Sequence, residues 1–205
     1  MPARGELDRA AECYAKVLAI TRESGDLVGE CYGTIGAARV DLCRGDPRRA
    51  AAALTGAVRR AGIVGDRLVG CRATIALAEA ELGLGRAEAA AGLAGEAVRV
   101  AQELETPLLG AQALMLKAWI HETSGEAQEA ESELRGAARL LFGTDAGPVA
   151  ALSGRSDADS TTSRGAVLDP AEGLTPGAPI FTIAAVDWEG STMAHRNGQG
   201  DTHDQ

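Results

Sequence analysis

Glycines recur at positions 5, 45, 85 and 125, a spacing of 40 residues. A chain that repeats itself at this interval is bound to stack like units side by side. Other columns keep the same phase. Ala10, Ala50, Ala90 and Ala130 each stand five residues beyond a glycine, and Val17-Leu18, Ala57-Val58, Ala97-Val98 and Ala137-Ala138 align behind them. Asp26, Asp66 and Thr106 share a column, as do Cys31 and Cys71, then Ile35, Ile75 and Met115, then Ala38, Ala78 and Ala118.

Each unit reads as two helices. Val28, Cys31, Ile35, Ala38 and Leu42 fall three or four residues apart and make one apolar stripe, which Leu68, Cys71, Ile75, Ala78 and Leu82 repeat. Asp26, Asp66 and Thr106 stand where an N-cap accepts free backbone N–H groups, and Pro107 suits the first helical position. Asp46-Pro47 follows the same logic at the start of a partner helix. Gly45, Gly85 and Gly125 are placed to end one helix in the left-handed conformation and turn the chain into the next. The alanine columns let neighbouring helices approach closely. No single hairpin buries its apolar face alone, so the reading is all-α: an α-solenoid of antiparallel helix pairs. Aromatics at 3% of the chain, beside heavy use of Ala and Gly, argue against an all-β fold.

The run Gly5-Glu6-Leu7-Asp8-Arg9-Ala10 through Tyr14 and Val17-Leu18 resembles the second helix of a tetratricopeptide (TPR) repeat: glycine, alanine five later, a large residue four later, then a small or aliphatic pair. The resemblance covers residues 5–142. Its 40-residue period is longer than the common 34 and is similar to the long repeats in the C-terminal arms of large bacterial transcription regulators, the MalT-like and antibiotic-regulator groups. It implies a half repeat plus three helix pairs, with an extended peptide or helix received by a concave face lined by the first helices, about Asp26–Arg44, Asp66–Leu84 and Pro107–Ser124. The groove-facing columns that it implies are Tyr32, Gly36 and Arg39; Arg72, Ala76 and Glu79; and Gln112, Leu116 and Trp119. The candidate peptide-binding residues are accordingly Tyr32, Arg39, Arg72, Glu79, Gln112 and Trp119, since Tyr, Trp and Arg are enriched in binding hot spots. The bland alternative makes Trp119 a spacer between repeats and the arginines solvated. The Lys and Asn of chaperone-tail-binding TPR domains are missing from these columns.

The chain changes character after Phe142. Residues 143–205 hold four of the seven prolines and runs such as SGRSDADSTTSRG, with nine acidic against three basic residues. Such a segment buries too little apolar surface to offset its ordering entropy, so it reads as a disordered acidic tail. Its one apolar island is Ala178–Trp188.

Motifs for chemistry are scarce. Neither Lys16 nor Lys117 follows a glycine, which removes a phosphate loop. Gly83-Leu84-Gly85 opens like a dinucleotide fingerprint but has no third small residue and no preceding strand. His121-Glu122 begins like a zinc-protease helix, yet position 125 is Gly125 in place of the second ligand, so His121 reads as surface or interhelical. Cys31 and Cys71 read as small hydrophobes in the stripe. Glu79 and Glu81, about 200° apart on a helix, read as solvated faces and not as a catalytic pair. No catalytic residue, metal or cofactor is expected. The net charge of −9 argues against nucleic acid, and no apolar run is long enough to span a bilayer. With no secretory signal at its start and no Cys-x-x-Cys spacing, the chain reads as cytoplasmic.

Two function classes remain: a protein- or peptide-binding module, the sensing or assembly arm (or a truncated relic) of a bacterial regulator; or a structural adaptor that oligomerises through its end helices. Aligned to the TPR pattern, Gly5 opens a second helix, so the array begins with half a repeat. Leu7, Ala10, Ala11, Tyr14, Val17 and Leu18 then form an apolar face covered on one side, and self-association through Gly5–Ser24, or fraying there, is expected.

Overall fold

The computed structural model describes residues 4–142, and every element in them is a helix. In chain order these are α1 (Arg4–Ser24), α2 (Leu27–Cys43), α3 (Pro47–Val64), α4 (Arg67–Gly83), α5 (Ala87–Glu103), α6 (Pro107–Ser124) and α7 (Ala127–Phe142). The expected tail, with its island Ala178–Trp188, lies outside the described residues. Successive helices pack against each other as antiparallel neighbours. The even helices also touch one another, α2 on α4 and α4 on α6, whereas no pair of odd helices makes a comparable contact. A two-layer stack whose one layer is in mutual contact while the other is spread curves toward the contacting layer. The arrangement is an α-solenoid in which α2, α4 and α6 form the inner layer.

The turns are closed as the sequence specifies. Asp26, Asp46 and Asp66 each accept a hydrogen bond from the backbone N–H three residues on, at Gly29, Arg49 and Val69. Gly45, Gly85 and Gly125 all adopt positive φ, and so do Gly25 and Gly65. The next residue then donates back across the turn, as from Asp46 to the Asp41 carbonyl (2.9 Å) and from Glu126 to that of His121 (2.9 Å). Left-handed closures therefore come every 20 residues, between repeats as well as within them. Glu105 holds the position of Gly25 and Gly65 at φ 52, a conformation that costs an L-residue free energy. Thr106 departs from its expected role: its side chain makes no cap bond, and Oγ1 donates to the Ala101 carbonyl at 3.1 Å.

The core lies between the layers. Cys31, Ile35 and Ala38 of α2 meet Ala50, Leu54, Ala57 and Ala61 of α3, and Cys71, Ile75 and Ala78 of α4 meet Ala90, Ala94, Ala97 and Ala101 of α5. Cys31 Sγ points to the Ala57 carbonyl (3.8 Å) and Cys71 Sγ to that of Ala97 (3.5 Å), so the two thiols do the same job one repeat apart. Burial raises the pKa of both.

A second buried stripe runs along the other side of each even helix and packs on the preceding repeat. It comprises Val69, Ala73, Ala76 and Ala80 on α4, and Leu109, Ala113 and Leu116 on α6. Ala76 and Leu116, expected at the groove edge, belong to this stripe and are buried. On α2 the matching positions are Gly29, Gly33 and Gly36, and α1 presses into them: a Cβ on Gly33 would meet Leu18 at 3.0 Å and one on Gly36 would meet the Tyr14 ring at 2.1 Å. Tyr14 and Leu18 are thus held by α2, while Val17 and Ile20 stay exposed at 40% and 65%.

These contacts set opposite signs for one substitution. Gly36→Ala is expected to destabilise by about 1–3 kcal/mol through the collision with Tyr14. Gly92→Ala, mid-helix in α5 with nothing within 4 Å of the added carbon, is expected to stabilise by about 0.5–1 kcal/mol. Urea unfolding followed by circular dichroism measures both; a neutral Gly36→Ala would mean that α1 does not seat closely on α2.

Candidate functional site

The inner layer carries the expected groove residues on equivalent turns. Tyr32, Arg72 and Gln112 lie one repeat apart on α2, α4 and α6, and Arg39, Glu79 and Trp119 do the same two turns further along. Tyr32 is 41% exposed, whereas Arg39, Arg72, Gln112 and Trp119 are half-buried. Trp119 packs against the core formed by α4, α5 and α6, so part of its role is to fill space there.

Glu79 is the departure from the sequence reading. It is 4% exposed, not a solvated face, and neither carboxylate oxygen has a hydrogen-bond partner among the described residues. The spacing argument considered only α4, but α4 is covered by α2 on one side and α6 on the other. Glu81, two residues on, is partly exposed and binds Arg86 at 3.0 Å. Desolvation pushes the Glu79 pKa up to about 8, and the opposing attraction of Arg39 is the smaller effect. The Cys43 thiol near the end of α2 is also raised, first by burial and then by the Glu79 charge, with Arg39 acting against them. Arg39, Cys43 and Glu79 are therefore brought into one electrostatic neighbourhood. Tyr32 and Gln112 are related to them by repeat position and make no hydrogen bond with them.

Elsewhere, several charged side chains on the even helices are tied to the outer layer or the turns. Asp41 binds Arg49 of α3 (3.2 Å), Glu30 binds Arg22 and Arg60, Lys117 binds Glu133 of α7, and Arg67 binds Glu103 of α5. His121, read as surface or interhelical, bonds Glu126 in the turn between α6 and α7 through Nδ1 (2.6 Å). Arg72 differs. It is half-buried, its Nε is shielded from solvent, and it makes no hydrogen bond or ion pair among the described residues. Sequence reasoning found Arg72 by its column, but its isolation and the burial of Glu79 depend on what the neighbouring helices bring.

No group of three or more His, Cys, Asp or Glu side chains that could hold a metal occurs among the described residues, and no helix there is long and apolar enough to cross a membrane.

No family model and no curated protein matches the chain. Among solved structures it is similar to BtubC (BKLC) from P. vanneervenii, with a TM-score of 0.57 and 20% identity over 71% of this chain. The match spans 62% of that chain, less than two-thirds of its length. At this identity the likeness is one of fold: two helical chains stacked in the same manner.

The buried carboxylate fixes a pH dependence. A folded-state pKa above the ordinary carboxylate value of about 4.3 means that the unfolded chain releases this proton first as pH rises. Glu79's contribution is therefore at its best below about pH 4.3 and falls until about pH 8. Relative to Glu79→Gln, the natural protein is expected to lose up to about 1.4 kcal/mol of stability per pH unit between pH 5 and pH 8. Urea titrations of both proteins across that range test it, and parallel curves would place the carboxylate in water.

Proposed function

We propose that the chain is a protein-interaction module of the TPR type whose inner helix layer receives an extended peptide, and that it serves as the sensing or assembly arm of a bacterial transcription regulator. The single observation that carries the peptide reading is the set of polar groups left without partners on that layer: the Nε of Arg72 and both oxygens of Glu79. A purely architectural layer of Ala, Leu and Val gains nothing from such groups, because each shielded and unbonded polar atom costs about 1–3 kcal/mol. Their retention favours a partner that supplies the missing bonds. Exposed Tyr32 on the same layer offers a rigid amphipathic contact beside them. The regulator-arm assignment rests on the 40-residue period and its resemblance to the long repeats of those proteins; an adjoining ATPase and DNA-binding region is its corollary.

One observation favours the adaptor reading as the rival. Val17 and Ile20 stand exposed on α1, the first helix of the array, where a second copy could cover them. Light scattering on the chain and on Val17→Glu plus Ile20→Glu separates the two: a change of mass between them supports the adaptor.

For the peptide reading, an array of extended synthetic peptides is screened by fluorescence polarisation and the binders are re-measured on Arg72→Ala. A hot-spot arginine is expected to lose about 30-fold in affinity, the equivalent of about 2 kcal/mol. Stability should hardly change, because the substitution deletes an unsatisfied group. Binding indifferent to Arg72, or no binding by any peptide, would remove the reading. Trp119 is unsuited to this test because truncating it also opens the core.

A further inference from the structure

The exposed apolar side chains of the solenoid are not spread evenly. Along one edge of the stack α1, α3, α5 and α7 end and α2, α4 and α6 begin, and Gly25, Gly65 and Glu105 close the turns between repeats there. Ile20, Leu27, Ile63, Val64, Leu108 and Phe142 are all exposed, and all lie within about one helical turn of that edge. Leu140 of α7 continues the row, since a Cβ on Gly110 near the start of α6 would meet it at 3.0 Å. Among the described residues no large exposed hydrophobic stands at the opposite edge, around Gly45, Gly85 and Gly125. Apolar side chains exposed singly need no account, whereas a row of them on one edge marks an interaction surface.

A groove opens in the middle of this edge. It is lined by Val64, Gly65, Asp66, Arg67, Leu68 and Leu104 and has a volume of about 530 Å³. Its two charged side chains are already engaged: Asp66 accepts from the Val69 backbone N–H at 2.9 Å, and Arg67 pairs with Glu103 of α5. What is left to cover is apolar, so the groove suits an uncharged apolar segment. A two-fold contact with a second copy centred here sets groove upon groove and fills neither. The chain itself supplies an occupant. α7 reaches Phe142 on this same edge, so residues 143–205 start out from it. Within them, residues 178–188 (APIFTIAAVDW) carry Ile180, Phe181, Ile183 and Val186 and no charge before Asp187. They lie outside the described residues. From Phe142 the groove is two packed helices away, α7 on α6 and α6 on α5, or roughly 20 Å. The 35 residues at 143–177 can reach roughly 115 Å when extended.

We propose that residues 178–188 dock in cis across this edge, with Ile180, Phe181, Ile183 and Val186 seated in the groove and over Val64 and Leu108. The contact leaves the inner layer open, so it stands independently of the peptide-binding reading and of any charge on that layer. Tethering presents the segment at an effective concentration near ~1 mM. If the free segment binds at ~10 μM, the intact chain therefore excludes an added copy by about 100-fold.

The probe is a fluorescein-labelled synthetic peptide of residues 178–188, followed by polarisation. It is titrated against the full chain and against a full-length variant carrying Ile180→Ser, Phe181→Ser, Ile183→Ser and Val186→Ser. The variant is expected to bind it about 100-fold more tightly than the natural chain does. Adding Val64→Glu and Leu108→Glu to that variant should weaken binding by about tenfold or more, because docking would then have to bury a charge. Circular dichroism checks that the helices persist. The four serine changes made in the peptide should abolish its binding, which repeats the test without touching the fold. Equal binding by the natural chain and the variant overturns the cis contact, and so does failure of the variant to bind. Binding that survives Val64→Glu plus Leu108→Glu places the segment elsewhere and overturns the proposal as well. A doubling of the variant's mass in light scattering, without uptake of peptide, assigns the edge to a second copy instead.

Discussion

Close packing of α2, α4 and α6 on two sides at once is the contact on which the remaining structure depends. Each of these helices must meet its own partner through one stripe and the preceding repeat through another, and at the centre α4 is covered by α2, α3, α5 and α6 together. Helix axes can come that near only where side chains are small. Ala73, Ala76, Ala78 and Ala80 are fully buried on α4, and α2 has glycines where α4 has Val69, Ala73 and Ala76. The odd helices face fewer neighbours and keep a polar side, so they are two-faced while the even helices are apolar on most sides. The difference between the layers follows from the number of neighbours that each helix must satisfy.

The same crowding produces the unusual chemistry of the inner layer. Glu79 stands on the central helix of the stack, where neighbours on two sides remove water and supply no donor to its oxygens. Asp41 and Glu81, at the matching column two residues on, sit toward the turns and reach Arg49 and Arg86. A donor within reach thus separates these carboxyls: Asp41 is also buried and raised in pKa by burial, but it has Arg49, whereas the Glu79 oxygens have no hydrogen-bond donor among the described residues. Arg72 is held in the same crowded layer, two turns earlier on α4. An array that served only to hold helices together would gain by replacing both residues with aliphatic ones of similar volume.

Much of this was legible in the sequence. The 40-residue glycine column, the aspartate caps and the stripe from Val28 to Leu42 each have a local physical cause, and helix boundaries expected from them fall within a residue or so of those observed. What escaped was non-local. The second stripe on α4 consists mostly of alanines, which carry no pattern in so alanine-rich a chain. Gly29, Gly33 and Gly36 look like poor helix formers until Thr21, Leu18 and Tyr14 of α1 are placed beside them. Thr106 resembles a cap by its column, but its hydroxyl has the Ala101 carbonyl within reach and uses it. Glu79 was misread because the angle between Glu79 and Glu81 on one helix says nothing about which of them the next helix covers. The groove columns themselves came from resemblance to a repeat family, and the physical state of each residue in them came from packing.

A neutral Glu79 also alters the electrostatics around Arg39. Were it ionised, it would stand beside Arg39 as half of a buried pair. Its oxygens lack the hydrogen bonds that make such a pair stable, and the attraction of Arg39 does not outweigh the loss of water. At neutral pH Glu79 therefore offsets little of the Arg39 charge. The even helices nonetheless stay mixed in charge, with Glu30, Asp41 and Glu81 paired to arginines and Glu122 exposed. Burial of a single carboxyl, imposed by helices packed for other reasons, thus removes one negative charge from the middle of that layer.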